Sequence, residues 1–305
     1  MHAKSTVRWP RFPRKLHRNI ARIVYNNQNC RVAVWAPGPK NRERMTSPVR
    51  TFTFLGTGTS VGVPMVGCEC AVCTSADPRN HRHRCAVLIG TPQGNILIDT
   101  PPELRLQLLR AKVGILHAVL FTHAHADHMY GLDDLRPIPK YLGGPVPLYC
   151  TTEVERKLRQ AFSYAFSPDA AAMPMGYLPK LTFRNITEEP FEVLEERITP
   201  IPLEHAHFSV FGFRIGDLAY CTDVSKIPKE SMKRLEGVEI LILDALRMKP
   251  HPAHFCLDEA LEVIDRLQPA KAYLTHMSHD LDHEATSKLL PANVELAYDG
   301  LCFPF

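Results

Sequence analysis

The chain has 305 residues, of which 45% are hydrophobic and 22% are charged. This length and composition suit one large globular domain with a sizeable buried core, and they exclude a chain that is disordered over most of its length. No apolar run approaches the roughly 18 consecutive residues that a membrane helix needs, so we expect a soluble protein with no membrane partner.

Charge is distributed unevenly along the chain, whose net charge is +4. Residues 1–44 hold eleven of the 36 Lys and Arg residues but only one of the 32 Asp and Glu residues. Residues 45–305 therefore hold 25 basic and 31 acidic residues, a net charge of −6. Nucleic-acid binding depends mainly on basic side chains that neutralise phosphates, so this balance argues against a nucleic-acid partner.

Two regions are predicted from this contrast: a basic N-terminal extension over residues 1–44 and one folded domain over residues 45–305. The extension is rich in Arg and nearly free of acids, which partly fits a mitochondrial transit peptide. The alternatives are a disordered extension and a tether to polyanions. Translated upstream sequence is a third, because Met45 directly precedes the first predicted strand. We expect a cytoplasmic protein, or a mitochondrial one if the extension is a transit peptide.

Strands and helices alternate from residue 51 onward. Short β-rich runs predict strands at residues 51–55, 86–89, 96–99, 117–122, 146–150, 209–215, 218–222, 239–244 and 272–275. Helical spacing predicts helices at residues 102–112, 129–135, 152–162 and 257–267. Strands in two groups, each mixed with helices, indicate sheets that are covered by helices. Residues 167–179, rich in Pro, Ala and Met, are a candidate mobile lid, with an ordinary surface loop as the alternative.

The strongest chemical signal is the run His123-Ala-His125-Ala-Asp127-His128, which directly follows the strand predicted at 117–122. Three imidazoles and one carboxylate within six residues are nitrogen and oxygen donors of the kind that Zn²⁺, Fe or Mn²⁺ prefers. Such a run at a strand end predicts a metal site.

Four donors on one short loop cannot surround a single ion, but they can divide between two ions if other segments complete each shell. Further donors at strand ends are therefore expected. His205, Asp223 and His276 supply them, and the last two directly follow predicted strands or close them.

Together these residues resemble the metallo-β-lactamase fold superfamily, an α+β class whose αββα sandwich holds a dinuclear metal site at the edge of its two sheets. The resemblance covers nearly all of residues 51–305. It implies two groups of ligands that share one bridging carboxylate. The first group is His123, His125 and His205, the second is Asp127, His128 and His276, and the bridge is Asp223. Two divalent ions, zinc or manganese, imply hydrolysis by a two-metal hydroxide mechanism.

A general acid is also needed to protonate a departing alkoxide. The phosphodiesterase branches of the superfamily carry a non-ligand histidine between a strand and a helix, a place that His254 fills here. The resemblance therefore implies that His254 is catalytic together with Asp223. His251 is the alternative bearer of this role.

A second metal site is predicted at Cys68, Cys70 and Cys73, three of the nine cysteines of the chain. Three crowded thiolates in a reducing compartment favour a closed tetrahedral zinc site over a disulfide framework, with a reactive cysteine cluster as the alternative. Together with the run Thr275-His-Met-Ser-His279, the pattern resembles the PhnP type of cyclic phosphodiesterase. That resemblance implies His279 as the fourth ligand of one structural zinc.

Several other residues are less specific. The superfamily often has a supporting carboxylate where Asp99 ends its strand. The run Arg82-His83-Arg84 fits either a substrate phosphate or, as we favour, an ordinary solvated basic turn. His207 is expected to be a bystander of His205. The turn Gly56-Thr-Gly58 lacks the spacing of a dinucleotide site and is expected to form a tight turn near the metals.

The resemblance implies a metal-dependent phosphodiesterase that hydrolyses a small cyclic phosphate ester, similar to phosphoribosyl 1,2-cyclic phosphate phosphodiesterase. A tRNA 3′ endonuclease of the RNase Z type is an alternative, although no Gly/Pro-rich basic arm is visible. Thioesterase or lactamase chemistry and a non-enzymatic, metal-stabilised interaction protein also stay open. The expected partner is a small phosphorylated molecule, and the oligomeric state is left open, a homodimer included.

Overall fold

The computed structural model describes residues 49–305. The predicted extension over residues 1–44 lies outside the described residues. The described part of the chain contains no helix with the length and apolarity needed to cross a membrane.

Two seven-stranded sheets form the centre of the protein. The strands are β1 (Thr51–Gly56), β2 (Ala86–Thr91), β3 (Gly94–Ile98), β4 (Ala118–Leu120), β5 (Val146–Cys150), β6 (Leu181–Asn185), β7 (Phe191–Val193), β8 (Glu196–His205), β9 (Phe208–Ile215), β10 (Leu218–Cys221), β11 (Ile240–Asp244), β12 (Lys271–Thr275), β13 (Val294–Leu296) and β14 (Cys302–Pro304). The helices are α1 (Leu104–Arg110), α2 (Ala126–Met129), α3 (Ile138–Leu142), α4 (Thr152–Ala161), α5 (Lys229–Leu235), α6 (Leu257–Leu267) and α7 (His283–Ser287).

Each sheet is antiparallel in one half and parallel in the other. The first has the order β14-β1-β2-β3-β4-β5-β6, and its strands run parallel from β3 to β6. The second has the order β13-β12-β11-β10-β9-β8-β7, and its strands run parallel from β10 to β13. Parallel strands need both faces covered, which explains why the parallel halves carry the apolar runs seen in the sequence.

Side chains alternate between a central core and two outer cores. In β2, Val87 and Ile89 point into the core shared by both sheets, whereas Leu88 points toward the helices. In β11, Ile242 faces the other sheet, while its neighbours face α5 and α6. Because successive strand residues point to opposite faces, this alternation produces a four-layer αββα sandwich. The predicted fold class is confirmed.

The longest strand, β8, was not predicted. This strand contains Pro200 and Pro202, and proline is normally confined to sheet edges because it cannot donate a hydrogen bond. Here both prolines face the edge beside α5, where their carbonyl oxygens accept hydrogen bonds from Arg234 Nη1 (2.7 Å) and Ser231 Oγ. Helix α5 thus covers this edge of β8, with which a further strand cannot pair.

One predicted helix was wrong. Residues 129–135 do not form a continuous helix, because α2 ends at Met129 and a separate 3-10 turn occupies Leu132–Leu135. Gly131 lies between them, and a Cβ there would meet the Pro101 carbonyl oxygen at 2.0 Å. The chain therefore turns at a glycine that packs against another backbone segment.

Candidate metal centres

The predicted metal ligands lie where strands of both sheets end. His123 follows β4, His205 ends β8, Asp223 follows β10 and His276 follows β12. The ends of the parallel strands meet at one edge of the sandwich, the place where open α/β sheets bind their ligands. The remaining donors, His125, Asp127 and His128, lie at the start of α2 and within it. All seven predicted residues are brought together at this edge.

The donors form two groups around Asp223. Potential ligand atoms of His123, His125 and His205 lie within 4.8 Å of one another, and so do those of Asp127, His128, Asp223 and His276. Asp223 Oδ1 lies 3.2 Å from His128 Nε2, and Asp223 Oδ2 lies 3.9 Å from His123 Nε2. The carboxylate thus faces both groups, as a bridging ligand would.

The ring nitrogens that point into the site are buried and, in the described part of the chain, form no hydrogen bond. Nε2 of His123, His128 and His276 each have no hydrogen-bond partner in the described part of the chain. The opposite nitrogens of two of these rings are held: His123 Nδ1 lies 2.9 Å from Thr122 Oγ1, and His128 Nδ1 lies 2.8 Å from Asp99 Oδ2. A buried polar atom without a partner is costly, and metal-binding histidines are usually oriented through their other nitrogen. The donor set therefore fits divalent metal ions.

Backbone strain is concentrated at the same place. Asp99, Asp223 and His276 have φ angles of 65°, 53° and 59°, in the left-handed region that favours glycine. Each follows the end of a parallel strand and turns its side chain back over the edge of the sheet. Strain of this kind typically marks a site where side-chain placement matters more than local stability.

Electrostatics couple the acids and imidazoles. Burial opposes charge on Asp223, but the neighbouring His128 and His276 outweigh it and hold the pKa of this carboxyl well below its usual range. Burial likewise opposes charge on His276, yet Asp223 and nearby carboxylates raise its pKa to about 9. Burial lowers the pKa of His123. Without metal, the second group therefore carries protons that a cation would replace.

A histidine and a buried aspartate lie beside the two groups. His254 Nδ1 is 2.7 Å from Asp244 Oδ2, which also accepts a hydrogen bond of 2.9 Å from the Val224 amide. The ring of His254 stacks on that of His276, with centroids 4.6 Å apart and planes at 15°. Its side chain is 11% exposed. His251 packs against His254 and makes no such contact with an acid.

Asp244 was not singled out as a functional residue from the sequence. It ends an apolar strand in the same way that Asp99 and Asp223 follow theirs, and that recurring position is the signal that could have identified it. The structure shows that Asp99 and Asp244 play the same part on opposite sides, each holding one histidine of the site.

The predicted cysteine site is assembled around His279. The Nδ1 atom of His279 lies 3.1 Å from Cys68 Sγ, 3.6 Å from Cys70 Sγ and 3.4 Å from Cys73 Sγ. A tetrahedral zinc with its usual bond lengths needs sulfur–nitrogen separations of about 3.5 Å. These four residues therefore have the spacing of a closed tetrahedral zinc site.

Backbone amides donate hydrogen bonds to two of the cysteine sulfurs. The Cys73 amide donates to Cys70 Sγ (3.4 Å) and lowers the pKa of the Cys70 thiol to about 7. Burial raises the pKa of Cys73 to about 11, although the Met65 amide donates to its sulfur at 3.3 Å. Amide hydrogen bonds to sulfur favour thiolates, the form that binds metal.

The expected solvated turn at residues 82–84 was wrong. Arg82 is 1% exposed, and burial lowers its pKa to about 10. Its guanidinium donates to the carbonyl oxygens of Ser278 (2.8 Å) and Leu281 (2.6 Å), on either side of His279. His83 contacts Asp299 at 2.8 Å and Arg84 pairs with Glu103, so all three side chains are used within the protein.

The glycine turn holds the loop that links the two sites. The amide of Met277 donates to the Thr57 carbonyl (2.9 Å), and the Thr59 amide donates to the Met277 carbonyl (3.1 Å). A Cβ at Gly58 would lie 2.7 Å from the Arg82 carbonyl oxygen, so only glycine allows this approach. These hydrogen bonds fix the position of Met277, the residue after His276.

The comparison with protein families agrees with this geometry. A family model described as a beta-lactamase superfamily domain matches residues 94–277, more than half of the chain. The chain belongs to the metallo-β-lactamase superfamily. Within that superfamily it is similar to a solved structure described as a new diphosphatase from the PhnP family, which is 42% identical. That match covers 84% of this chain and 97% of the other, with a TM-score of 0.79. The predicted superfamily and PhnP type are confirmed.

Two further relatives widen the comparison. An octanoyltransferase from Porphyromonas gingivalis is 36% identical over 252 residues, which make up 81% of this chain and 50% of that protein. The chain thus spans about half the length of that relative. The zinc-bound PqqB from Methylobacterium extorquens is 18% identical, with a TM-score of 0.65 over 83% of this chain and 99% of that one. At that identity it shows the shared fold alone.

Removing the Asp99 carboxylate will weaken metal binding. In Asp99→Ala, His128 loses the partner that orients its ring, so we expect the affinity for divalent metal to fall by about 10–100-fold. A competition titration with a chelator measures this affinity, and the exposed Asp217→Ala is the control. Equal affinities in the two variants would contradict the assigned support of His128.

Metal affinity will also depend on pH. Because the carboxylates raise the pKa of His276 to about 9, this imidazole is protonated below that pH in the metal-free site, and a bound cation must displace the proton. The apparent affinity should fall as pH is lowered from 9 to 6, by up to about tenfold per pH unit for each proton displaced. The same chelator titration at four pH values measures the slope. A flat profile would show that no proton is released.

Replacing Arg82 will destabilise the loop that carries His279. Arg82→Met removes the guanidinium donors of the Ser278 and Leu281 carbonyl oxygens, and a buried acceptor that loses its donor costs about 1–3 kcal/mol. We expect the Tm to fall by at least about 4 °C, and zinc to be released faster from the cysteine site. Arg79→Met, which removes an exposed ion pair, is the control. Matching Tm values for both variants would refute this role.

Proposed function

We propose that this protein is a metal-dependent hydrolase of phosphodiester bonds in a small phosphorylated substrate, with a five-membered cyclic phosphate on ribose as the leading substrate. The single observation that carries the proposal is the His254–Asp244 pair beside two groups of metal donors that share Asp223. Two divalent ions, zinc or manganese, and one structural zinc are the proposed cofactors.

The donor groups define what each part of the site does. When bound, a pair of divalent ions would polarise the phosphoryl oxygens and supply a nucleophilic hydroxide near neutral pH. Asp223 would hold the two positions in register, because its carboxylate faces both groups. His123, His125 and His205 would hold one ion, and Asp127, His128 and His276 the other.

His254 is suited to protonating the leaving oxygen. Asp244 accepts a hydrogen bond from Nδ1, which leaves Nε2 for the substrate, and the stacked ring of His276 fixes the plane of the imidazole. The imidazolium is the form of histidine that donates a proton to a leaving oxygen. The 11% exposure of the His254 side chain leaves it in contact with solvent, toward which a leaving group would depart.

A second candidate substrate class is a diphosphate. The 42% identical relative is described as a diphosphatase, and a diphosphate linkage places the same kind of phosphoryl centre and leaving oxygen at the site. The octanoyltransferase match carries less weight, because the chain spans only 50% of that protein.

The RNase Z alternative receives less support. A tRNA substrate needs many phosphate contacts, yet residues 45–305 have a net charge of −6. The 19 residues between α4 and β6 that could form an arm, residues 162–180, contain one lysine and no arginine. That composition is unsuited to gripping a polyanion.

Hydrolysis of a small substrate panel tests the proposal. The panel contains a ribose 1,2-cyclic phosphate, a 2′,3′-cyclic nucleotide, ADP-ribose, bis(p-nitrophenyl) phosphate and a precursor tRNA. We expect turnover of a cyclic phosphate or of the diphosphate, reduced to background in Asp223→Ala. Turnover of tRNA alone, or none with the metals fully loaded, would contradict the proposal.

The role of His254 can be separated from metal binding. His254→Gln should lower kcat by about 10²–10⁴-fold for a substrate with an alkoxide leaving group, which must be protonated as it departs. For a p-nitrophenyl ester the loss should be much smaller, because p-nitrophenolate leaves without a proton. His251→Gln is the matched control, and metal content is measured for each variant. Equal losses for both leaving groups would exclude a general acid.

A further inference from the structure

A cavity of about 430 Å³ opens directly beside the first group of metal donors. It lies between the loop after β4, the first turns of α4 and the start of β9. Its walls include His123 and His125, so any molecule that fills it would reach the site. Small-molecule sites commonly have volumes of roughly 300–1,000 Å³ and mostly apolar walls with a few polar groups.

Apolar and aromatic groups form most of the walls. Val154 and Val210 are buried, and Phe208 stands at the mouth with 58% of its surface exposed. The Phe208 ring meets the ring of His125 edge to face, with centroids 5.2 Å apart and planes at 85°. Because more than half of Phe208 is exposed, part of its ring stays accessible beside the cavity. A flat heteroaromatic group could stack there, as bases do on aromatic side chains.

One lysine of α4 lines the cavity. On α4, Arg156 pairs with Glu153 and Arg159 pairs with Glu155, at 2.8 Å in each case. In the part of the chain that the structure describes, Lys157, which lines the cavity, has neither a hydrogen bond nor an ion pair. Lys157 lies close enough to Glu153, which also lines the cavity, to help lower the pKa of that carboxyl. Because its ammonium forms no ion pair among the described residues, Lys157 is the basic side chain of this helix that could contact an anionic group of a ligand.

We propose that this cavity binds the base of a nucleotide substrate, with Phe208 stacking on the base and Lys157 contacting a phosphate between the base and the metal site. The inference rests on the proposed hydrolase function and narrows its substrate class to nucleotides with a diester or diphosphate linkage. His207, expected to be a bystander, would then line the base-binding cavity.

Direct binding tests this proposal without depending on turnover. Calorimetry on the manganese-loaded protein should show that AMP binds at least tenfold more tightly than ribose 5-phosphate, which lacks the base. Phe208→Ala should remove most of this preference. Tyr141→Ala, a change at a 63% exposed aromatic residue that does not line the cavity, should leave it intact.

The lysine is tested separately with ADP. Lys157→Met should raise the Kd for ADP about fivefold while changing the Kd for AMP by less than twofold. Equal affinities of the wild type for AMP and ribose 5-phosphate, or a preference that survives Phe208→Ala, would overturn the assignment. Tighter binding of octyl phosphate than of AMP would overturn it in favour of an acyl group. Failure of the substrate panel with intact AMP binding would instead count against the hydrolase proposal.

Discussion

The placement of three buried imidazole nitrogens that form no hydrogen bond within the described residues is the constraint on which the rest of the site depends. The Nε2 atoms of His123, His128 and His276 are buried from water, and all three lie around the Asp223 carboxylate. Such atoms are expensive to bury unless something pairs with them. Divalent cations would satisfy all of them at once and would also compensate the clustered carboxylates.

The sandwich meets this constraint through its strand ends. Both sheets have a parallel half, and the parallel strands deliver their final residues to one edge. Asp99 from the first sheet and Asp244 from the second each hold a histidine through Nδ1, so the two sheets support the site symmetrically. Left-handed backbone at Asp99, Asp223 and His276 is the conformational cost of turning these side chains inward.

Much of this could be predicted because the signals are local. The ligand run 123–128, the acids and histidines at strand ends and the cysteine spacing 68–73 all lie within short segments. What escaped prediction depends on distant contacts. The prediction that Arg82 lies in a solvated turn was wrong, because the carbonyl groups that accept its hydrogen bonds are 196 and 199 residues away along the chain. Strand β8 was missed because its prolines are acceptable only at an edge that α5 covers.

The central claim is that the strand ends assemble donors for two ions that share Asp223, with a third ion held by the cysteines and His279. Anomalous diffraction at the zinc edge, from crystals of the zinc-loaded protein, tests it most directly. The account predicts three peaks: two about 3.5–4 Å apart, on either side of the Asp223 carboxylate, and one among the four residues of the cysteine site. A single peak at the strand ends, or a pair not bridged by Asp223, would contradict it.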